Sequence, residues 1–271
     1  MAERGKGTSR LPLLLRPAQK HTAPRTVAWP KVVKVAAVVP AFNEVGRIER
    51  VLHALMATPE IGDIVVVSDG STDDTFAVAD AIQGVRAFQL PRNRGKGGAM
   101  RYGAERTDAD VLVFFDADLI GLTPDKVRAL IGPVCAGEAH MAMGIFKGGR
   151  WATDIAQRFS PGITGQRAIR REVFLCIPGL DSVGYGIELA ITYYVRHHGM
   201  VRKDVTLPGV THPMKEEKLG LVKGAASRAV MYWQMARFRV SYELHGRPPQ
   251  SRQPSRPPTM DEPSCPPTMD E

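Results

Sequence analysis

The stretch that most constrains the fold is VLVFFDADL at residues 111–119, where five large apolar residues run directly into an Asp-Ala-Asp sequence. An unbroken apolar run of β-branched and aromatic residues is typical of a strand that is buried on both faces. Such strands occur in parallel sheets that carry helices on each side. Asp116 and Asp118 then follow the carboxyl end of this strand. Carboxylates are costly to bury alone, so the pair requires a cationic partner.

Strand-like and helix-like segments alternate along the first half of the chain. Strands are expected at 32–40, 63–70, 86–90 and 111–119. Helices are expected at 44–57, 74–83, 100–106 and 123–134, the last with Thr123 as N-cap and Pro124 at its first position. This alternation predicts an α/β fold, a mostly parallel sheet with helices on both faces.

Polar clusters follow three of the expected strands, at the edge where open α/β sheets bind ligands. They are PAFNE at 40–44, SDGSTDD at 68–74 and DAD at 116–118, with the basic, glycine-rich loop RGKGG at 94–98 between the last two. The polar groups suit a base and a ribose, and a carboxylate pair suits a divalent cation, which prefers oxygen ligands. These residues therefore predict a site for a nucleoside diphosphate with Mg²⁺ or Mn²⁺.

The formal net charge of +8 is concentrated in residues 1–34, which hold eight Lys or Arg residues against one acid, Glu3. A basic arm of this kind can contact anionic lipid, and a solvated tail explains it equally well. Because nucleic-acid binding would rest on this charge alone, no nucleic-acid partner is expected. The segment from 246 onward is rich in Pro, Ser and Arg and is expected to be disordered. We therefore expect a basic disordered arm at 1–34, one domain at 35–245 and a Pro-rich disordered tail at 246–271.

The sequence contains no run of 18 apolar residues, so no transmembrane helix is expected. Its three cysteines lack CxxC spacing and form no even set, which argues against a disulfide framework and favours a reducing cytoplasm. A helix expected at 221–240 mixes aromatic residues with arginines, a pattern compatible with lying on an anionic membrane or with packing on the domain. The expected location is cytoplasmic. The inner, anionic face of the membrane is a candidate partner.

Four motifs, in this order and spacing, resemble those of the family 2 glycosyltransferases, which are nucleotide-sugar enzymes of the GT-A fold. They are VVPAFNE, VVVSDGSTDDT, NRGKGGAMRYG and VLVFFDADL. The resemblance covers about residues 35–200. It implies a single GT-A domain that binds a nucleotide-sugar donor, a UDP- or GDP-hexose, with Mg²⁺ or Mn²⁺ as cofactor.

The resemblance also implies roles for residues in these motifs. Asp69 is expected to contact the nucleobase, and Lys96 to lie near the base or the diphosphate. Asp116 and Asp118 are expected to form the metal-binding DxD element, with Asp118 closest to the metal and essential for catalysis. The nucleoside pocket is expected to be lined by Pro40, Asn43 and Glu44, and Ser71 is a further candidate for binding the donor.

The second half of the chain supplies further candidates, each with a structural alternative. Gln166, Arg167 and Arg170 fall where similar enzymes place a sugar-facing segment, although a solvated helix start is equally compatible. Glu188 matches a GY-x-x-E segment and is a candidate to orient the acceptor or take its proton. An acid favoured by the helix dipole explains Glu188 as well. His212, after an expected edge strand, is a candidate third metal ligand or a loop histidine.

The acceptor is expected to be phosphorylated, and two classes remain open. A polyprenyl phosphate, as used by the dolichol-phosphate mannosyltransferases that parts of the chain resemble, is favoured because the basic arm and last helix suit a membrane surface. The small acceptor of glucosyl-3-phosphoglycerate synthases is the alternative, because those enzymes are similar in the GYGIE segment and the downstream histidine. The chain lacks the ED and QxxRW pattern of processive synthases, so a polymerising role is not expected.

The sequence gives less support to two function classes other than sugar transfer. A nucleotidyltransferase usually carries a GxGxRx-type signature after the first strand, where this chain has PAFNE. A non-catalytic binding module would not need the DAD pair, so a strict metal requirement would exclude it.

Overall fold

The computed structural model describes residues 33–147, 164–180 and 186–213. Within these ranges the chain forms seven strands and six helices. In order they are β1 Val35–Ala41, α1 Ile48–Met56, β2 Asp63–Ser68, α2 Thr75–Asp80, β3 Arg86–Gln89, α3 Gly95–Ala104, β4 Val111–Phe114, α4 Pro124–Cys135, β5 Met141–Lys147, β6 Arg167–Arg170, α5 Arg171–Leu175, α6 Ile187–His197 and β7 Arg202–Pro208.

All of the described strands belong to one sheet, whose order is β3-β2-β1-β4-β6-β5-β7. The neighbours β3, β2, β1 and β4 run parallel to one another, as do β5 and β7. Strand β6 runs antiparallel between β4 and β5. The expectation of a mostly parallel sheet is confirmed, and the carboxyl ends of β1, β2 and β4 meet at one edge.

Strand β6 is the element that the sequence pattern did not predict. Its four residues, RAIR, are too few to display an alternating pattern, and the segment 163–174 reads instead as the approach to a short helix. Because β6 is antiparallel to β4, Arg167 at its start pairs with Phe114 at the end of β4. The turn that precedes β6 is thereby brought beside the DAD motif.

Apolar side chains are buried on both faces of the sheet. Successive residues of a strand point to opposite faces, so each central strand contributes to both halves of the core. On one face, α1 and α4 pack against Val39 and Val113. On the other face, α3, α5 and α6 pack against Val38 and Phe114. Residues 111–114 are completely or almost completely buried, in agreement with the reading of this run as a doubly covered strand.

Helix α3 begins earlier than the sequence pattern predicts. RGKGG was expected to be a flexible loop, but the helix starts at Gly95, which places Lys96 in its first turn. The glycines serve close packing: a Cβ on Gly103 would lie 2.5 Å from Val38 Cγ1, and one on Gly97 would overlap the carbonyl of Leu180. Glycine is read as flexible from sequence alone because its close neighbours are not visible there.

Several expectations from the sequence concern residues that the structure does not describe. Residues 1–32 of the basic arm, the 221–240 helix and the 246–271 tail lie outside the described residues. Within the described ranges, no helix has the length and apolar character needed to cross a membrane. Cys176, at the end of α5, is disulfide-bonded, which the cysteine spacing did not lead us to expect.

The packing of α3 on the sheet gives a stability prediction. Gly103→Ala should lower the free energy of unfolding by about 1–3 kcal/mol, because the new methyl group must displace the side chain of Val38. Gly62→Ala is the matched control, since its Cβ would meet only the Val35 carbonyl oxygen at 3.8 Å. Urea denaturation of both variants is the measurement. Equal effects at the two positions would contradict the assignment of Gly103 as a close-packing residue.

Candidate active site

The loops after β1 and β2 are tied to each other by hydrogen bonds. Asn43 has a φ of +55°, a left-handed conformation that asparagine tolerates. Its backbone N–H donates to Ser71 Oγ at 3.1 Å, and its Oδ1 accepts from the N–H of Thr72 at 2.9 Å. The N–H of Glu44 donates to Thr75 Oγ1 at 2.8 Å. The two polar clusters that the sequence separates by about 25 residues therefore form one surface.

Pro40 belongs to the same surface, because it pairs with Val67 near the ends of β1 and β2. Pro40 itself is partly buried, and the residues of β1 before it are buried. The structure thus brings Pro40, Asn43 and Glu44, the residues expected to line the nucleoside pocket, close to the binding candidate Ser71.

Asp69 is buried at the end of β2, with only 3% of its surface exposed. Its Oδ1 accepts a hydrogen bond of 2.7 Å from the backbone N–H of Arg94. Burial raises the pKa of Asp69, and the N–H groups of Arg94 and Gly95 offset only part of that rise. Asp69 therefore orders the entry to α3, and its expected contact with a nucleobase stays a prediction.

The cationic partner of the DAD motif is Lys96. Its Nζ lies 2.6 Å from Asp116 Oδ1 and 2.6 Å from Glu188 Oε1. Burial alone would lower the pKa of Lys96, but the two carboxylates outweigh it and raise that pKa. For Asp116, burial would raise the pKa, but the charges of Lys96 and His212 lower it overall. Both groups are therefore held in their charged forms.

The turn before β6 packs directly on this ion-pair cluster. Gln166 is buried, and its Nε2 donates to Asp116 Oδ2 at 2.9 Å. A Cβ on Gly165 would lie 2.5 Å from Asp116 Oδ2 and 2.6 Å from Lys96 Nζ. Thr164 Oγ1 donates to the carbonyl of Gly144 at 2.7 Å, which fixes the turn to β5. Only glycine at 165 allows the backbone to approach the carboxylate this closely, a requirement that the sequence analysis missed.

His212 reaches the same cluster through an isolated two-residue bridge. The N–H of Ile120 donates to the Thr211 carbonyl at 2.9 Å, and the reverse bond measures 3.1 Å. His212 Nδ1 then lies 3.1 Å from Asp118 Oδ1, and Nε2 lies 3.6 Å from Asp116 Oδ2. Burial alone would lower the pKa of His212, but the hydrogen bond with Asp118 and the two negative charges raise it above its usual value.

The three expected metal ligands, Asp116, Asp118 and His212, thus lie together, and His212 contacts both carboxylates directly. Within residues 33–147, 164–180 and 186–213, no group of three or more His, Cys, Asp or Glu side chains is placed so that it could hold a metal ion as it stands. The donor chemistry nevertheless fits, because two carboxylates and an imidazole suit Mn²⁺, and the carboxylates suit Mg²⁺.

Two arginines that were expected to meet phosphate or sugar are placed differently. Arg167 is completely buried, and its Nη1 donates to the carbonyl of Glu188 at 3.0 Å. Burial lowers the pKa of Arg167 to about 10. Arg170 pairs with Val111 at the other end of β4 and forms an ion pair with Glu172 at 2.9 Å. Arg170 is therefore remote from the DAD edge, and Arg167 faces protein groups.

The class of the protein follows from a comparison with known protein families. The profile of Glycosyl transferase family 2 matches residues 36–182, more than half of the chain. The chain belongs to this family. Its sheet and helices form the GT-A fold, as they do in solved relatives.

Individual relatives share about a quarter of their aligned residues with the chain. The chain is 28% identical to glucosyl-3-phosphoglycerate synthase of Mycobacterium tuberculosis over 194 residues, 58% of this chain and 59% of that protein. It is 27% identical to undecaprenyl-phosphate mannosyltransferase of Micrococcus luteus over 75% of this chain and 95% of that protein. A crystal structure of the M. tuberculosis synthase with Mn²⁺, UDP and glucosyl-3-phosphoglycerate superimposes with a TM-score of 0.64, at 25% identity, over 80% of this chain and 81% of that one.

The ion-pair cluster gives a prediction about stability. Lys96→Met should lower the free energy of unfolding by about 1–3 kcal/mol, because Asp116 and Glu188 would lose the cation that offsets their partial burial. Lys126→Met is the control, since its Nζ contacts only the exposed Gly121 carbonyl among the hydrogen-bond partners found in the described chain. Denaturant unfolding at pH 7 measures both. A cost for Lys96→Met no greater than that of the control would mean that the cluster contributes nothing to stability.

Proposed function

We propose that the chain is a metal-dependent hexosyltransferase. It moves a hexose from a UDP- or GDP-linked donor to a phosphorylated acceptor. The observation that carries the proposal is the meeting of Lys96, Asp116, Asp118, Glu188 and His212 beside the tied loops after β1 and β2. Membership of Glycosyl transferase family 2 supports it.

The nucleoside of the donor binds, in this proposal, against the surface formed by the loops after β1 and β2. Pro40, Asn43, Glu44 and Ser71 line it, and Asp69 faces the base. Support comes from the hydrogen bonds that hold these loops together, because a rigid surface binds a ligand at lower entropic cost. Gln166, fixed against Asp116, is proposed to contact the sugar or phosphate.

Asp118, Asp116 and His212 are the residues proposed to hold Mg²⁺ or Mn²⁺. When bound, such a cation offsets the negative charge of the diphosphate leaving group. Lys96 adds a second positive charge at the same place, since it lies 2.6 Å from Asp116. The M. tuberculosis synthase, whose structure contains Mn²⁺ and UDP, is a relative of this chain, which favours the same cofactor here.

Glu188 is proposed to serve the acceptor. Its side chain is 12% exposed and its Oε1 lies 2.6 Å from Lys96, so the carboxylate is held at the site in a fixed position. A carboxylate there can accept the proton of an attacking hydroxyl or hold a hydroxyl in place by a hydrogen bond. With a phosphate monoester acceptor, which is largely ionised at pH 7, the positioning role is the relevant one.

Two acceptor classes have support. A polyprenyl phosphate is favoured by the undecaprenyl-phosphate relative, because this chain spans 95% of its length. With that acceptor the protein would work in the cytoplasm on an anionic membrane surface. A phosphoglycerate-like acceptor is favoured by the contact of His212 with Asp118 and by the synthase relatives, of which the chain spans 59%.

A donor and acceptor screen tests the function. Purified full-length protein is incubated with UDP- or GDP-hexoses and Mn²⁺ or Mg²⁺, and nucleoside diphosphate release is followed. The acceptor arms are 3-phosphoglycerate in buffer, and undecaprenyl phosphate in vesicles with and without anionic lipid. We expect release that depends on one acceptor. If the lipid arm is active, raising the salt concentration should weaken it. No acceptor-dependent release with any pair would overturn the proposal.

The metal site has its own prediction. Asp118→Asn should reduce transfer by roughly 100-fold or more, because loss of one metal carboxylate removes several kcal/mol of transition-state stabilisation. Asp125→Asn, at a side chain that is 91% exposed, is the matched control and should keep full activity. The measurement is the rate of nucleoside diphosphate release at saturating metal. Undiminished turnover in EDTA would exclude the metal-dependent mechanism.

A further inference from the structure

We infer that Arg167 is a positioning residue, which fixes Glu188 and the turn before β6 against Lys96 and Asp116. The inference rests on the proposed function, since it concerns the same site. It replaces the expectation that Arg167 contacts a phosphate or a sugar hydroxyl.

The first observation is that the Arg167 guanidinium is completely buried among backbone carbonyls and a hydroxyl of the described chain. Its Nε is also buried and finds no hydrogen-bond partner among residues 33–147, 164–180 and 186–213. Burying a charge costs several kcal/mol, which these hydrogen bonds and the nearby charges of Glu188 and Asp116 offset. The groups that accept from Arg167 therefore show which segments it holds together.

The second observation is what those hydrogen bonds connect. Nη1 donates to the carbonyl of Glu188 at 3.0 Å and contacts Thr192 Oγ1 at 3.5 Å. Thr192 Oγ1 also donates to the Glu188 carbonyl, at 2.8 Å. Nη2 donates to the carbonyl of Thr164. One guanidinium thus links the first turn of α6 to the turn that precedes β6.

Both linked segments carry side chains into the ion-pair cluster. Glu188 reaches Lys96, and Gln166 reaches Asp116, each within 3 Å. The backbone of Glu188 is held by Arg167, so the guanidinium determines where the carboxylate stands relative to Lys96. Lysine cannot replace it, because a single ammonium lacks the two rigid, separated donors of the guanidinium fork.

The experiment uses Arg167→Lys in the full-length protein, with Arg171→Lys as matched control. Arg171 also donates to a backbone carbonyl, that of Ala104 at 3.0 Å, but it lies on α5 away from the cluster. We expect kcat to fall by about 10- to 100-fold in Arg167→Lys while KM for the donor changes by less than about 3-fold. The control should retain kcat. Thr192→Val, which removes one of the linking groups, should shift kcat in the same direction by a smaller factor.

A double-mutant cycle separates positioning from a general loss of stability. If Arg167 acts through Glu188, Arg167→Lys should lower kcat little further in a Glu188→Gln background. Independent, multiplicative effects of the two substitutions on kcat would overturn the assignment of Arg167 to the positioning of Glu188, while leaving the proposed function intact.

A second measurement does not depend on activity. Amide hydrogen exchange over residues 187–191 should accelerate in Arg167→Lys relative to α1, because the first turn of α6 loses its tie to the turn before β6. Unchanged exchange would show that Arg167 does not hold this helix and would overturn the inference. A wild-type protein inactive in every arm of the screen would instead overturn the proposed function, and exchange would still decide the role of Arg167.

Discussion

The site depends on the ammonium group of Lys96, which stands between the carboxylates of Asp116 and Glu188. These residues come from the first turn of α3, the loop after β4 and the first turn of α6, and Lys96 and Glu188 are 92 residues apart in the chain. Two partly buried carboxylates would otherwise repel each other, so the cation lets three segments converge. The same arrangement concentrates charge at the edge where a diphosphate and a metal are proposed to bind.

Close backbone approach is the second requirement, and glycine meets it in two ways. On α3, Gly97 and Gly103 allow the helix to contact the 180 region and β1, which brings Lys96 down to the sheet edge. In the turn before β6, Gly165 allows the backbone to lie against Asp116. At each of these positions a methyl group would displace a neighbouring atom. The short, antiparallel β6 delivers this turn to the end of β4.

Sequence patterns predicted the strands and helices whose apolar residues follow a long, regular pattern. Strands β1, β2 and β4 and helix α4 lie close to their expected positions, because continuous apolar runs and a Thr-Pro start are local signals. Strand β6 was missed because four residues are too short to show a period. The start of α3 was predicted too late because glycine has a low helix propensity, and packing against the sheet overrode that propensity.

The sequence by itself determined the fold class, the edge at which the polar motifs collect and the resemblance to family 2 glycosyltransferases, since all three follow from local patterns and their order. Only the tertiary structure decided which groups touch. It paired Glu188 with Lys96, turned Arg167 inward onto backbone carbonyls, and carried His212 to Asp118 through the bridge between Ile120 and Thr211. The reason is physical: a residue's own neighbourhood in the chain sets its conformational preference, whereas strand order and helix packing set its distant contacts.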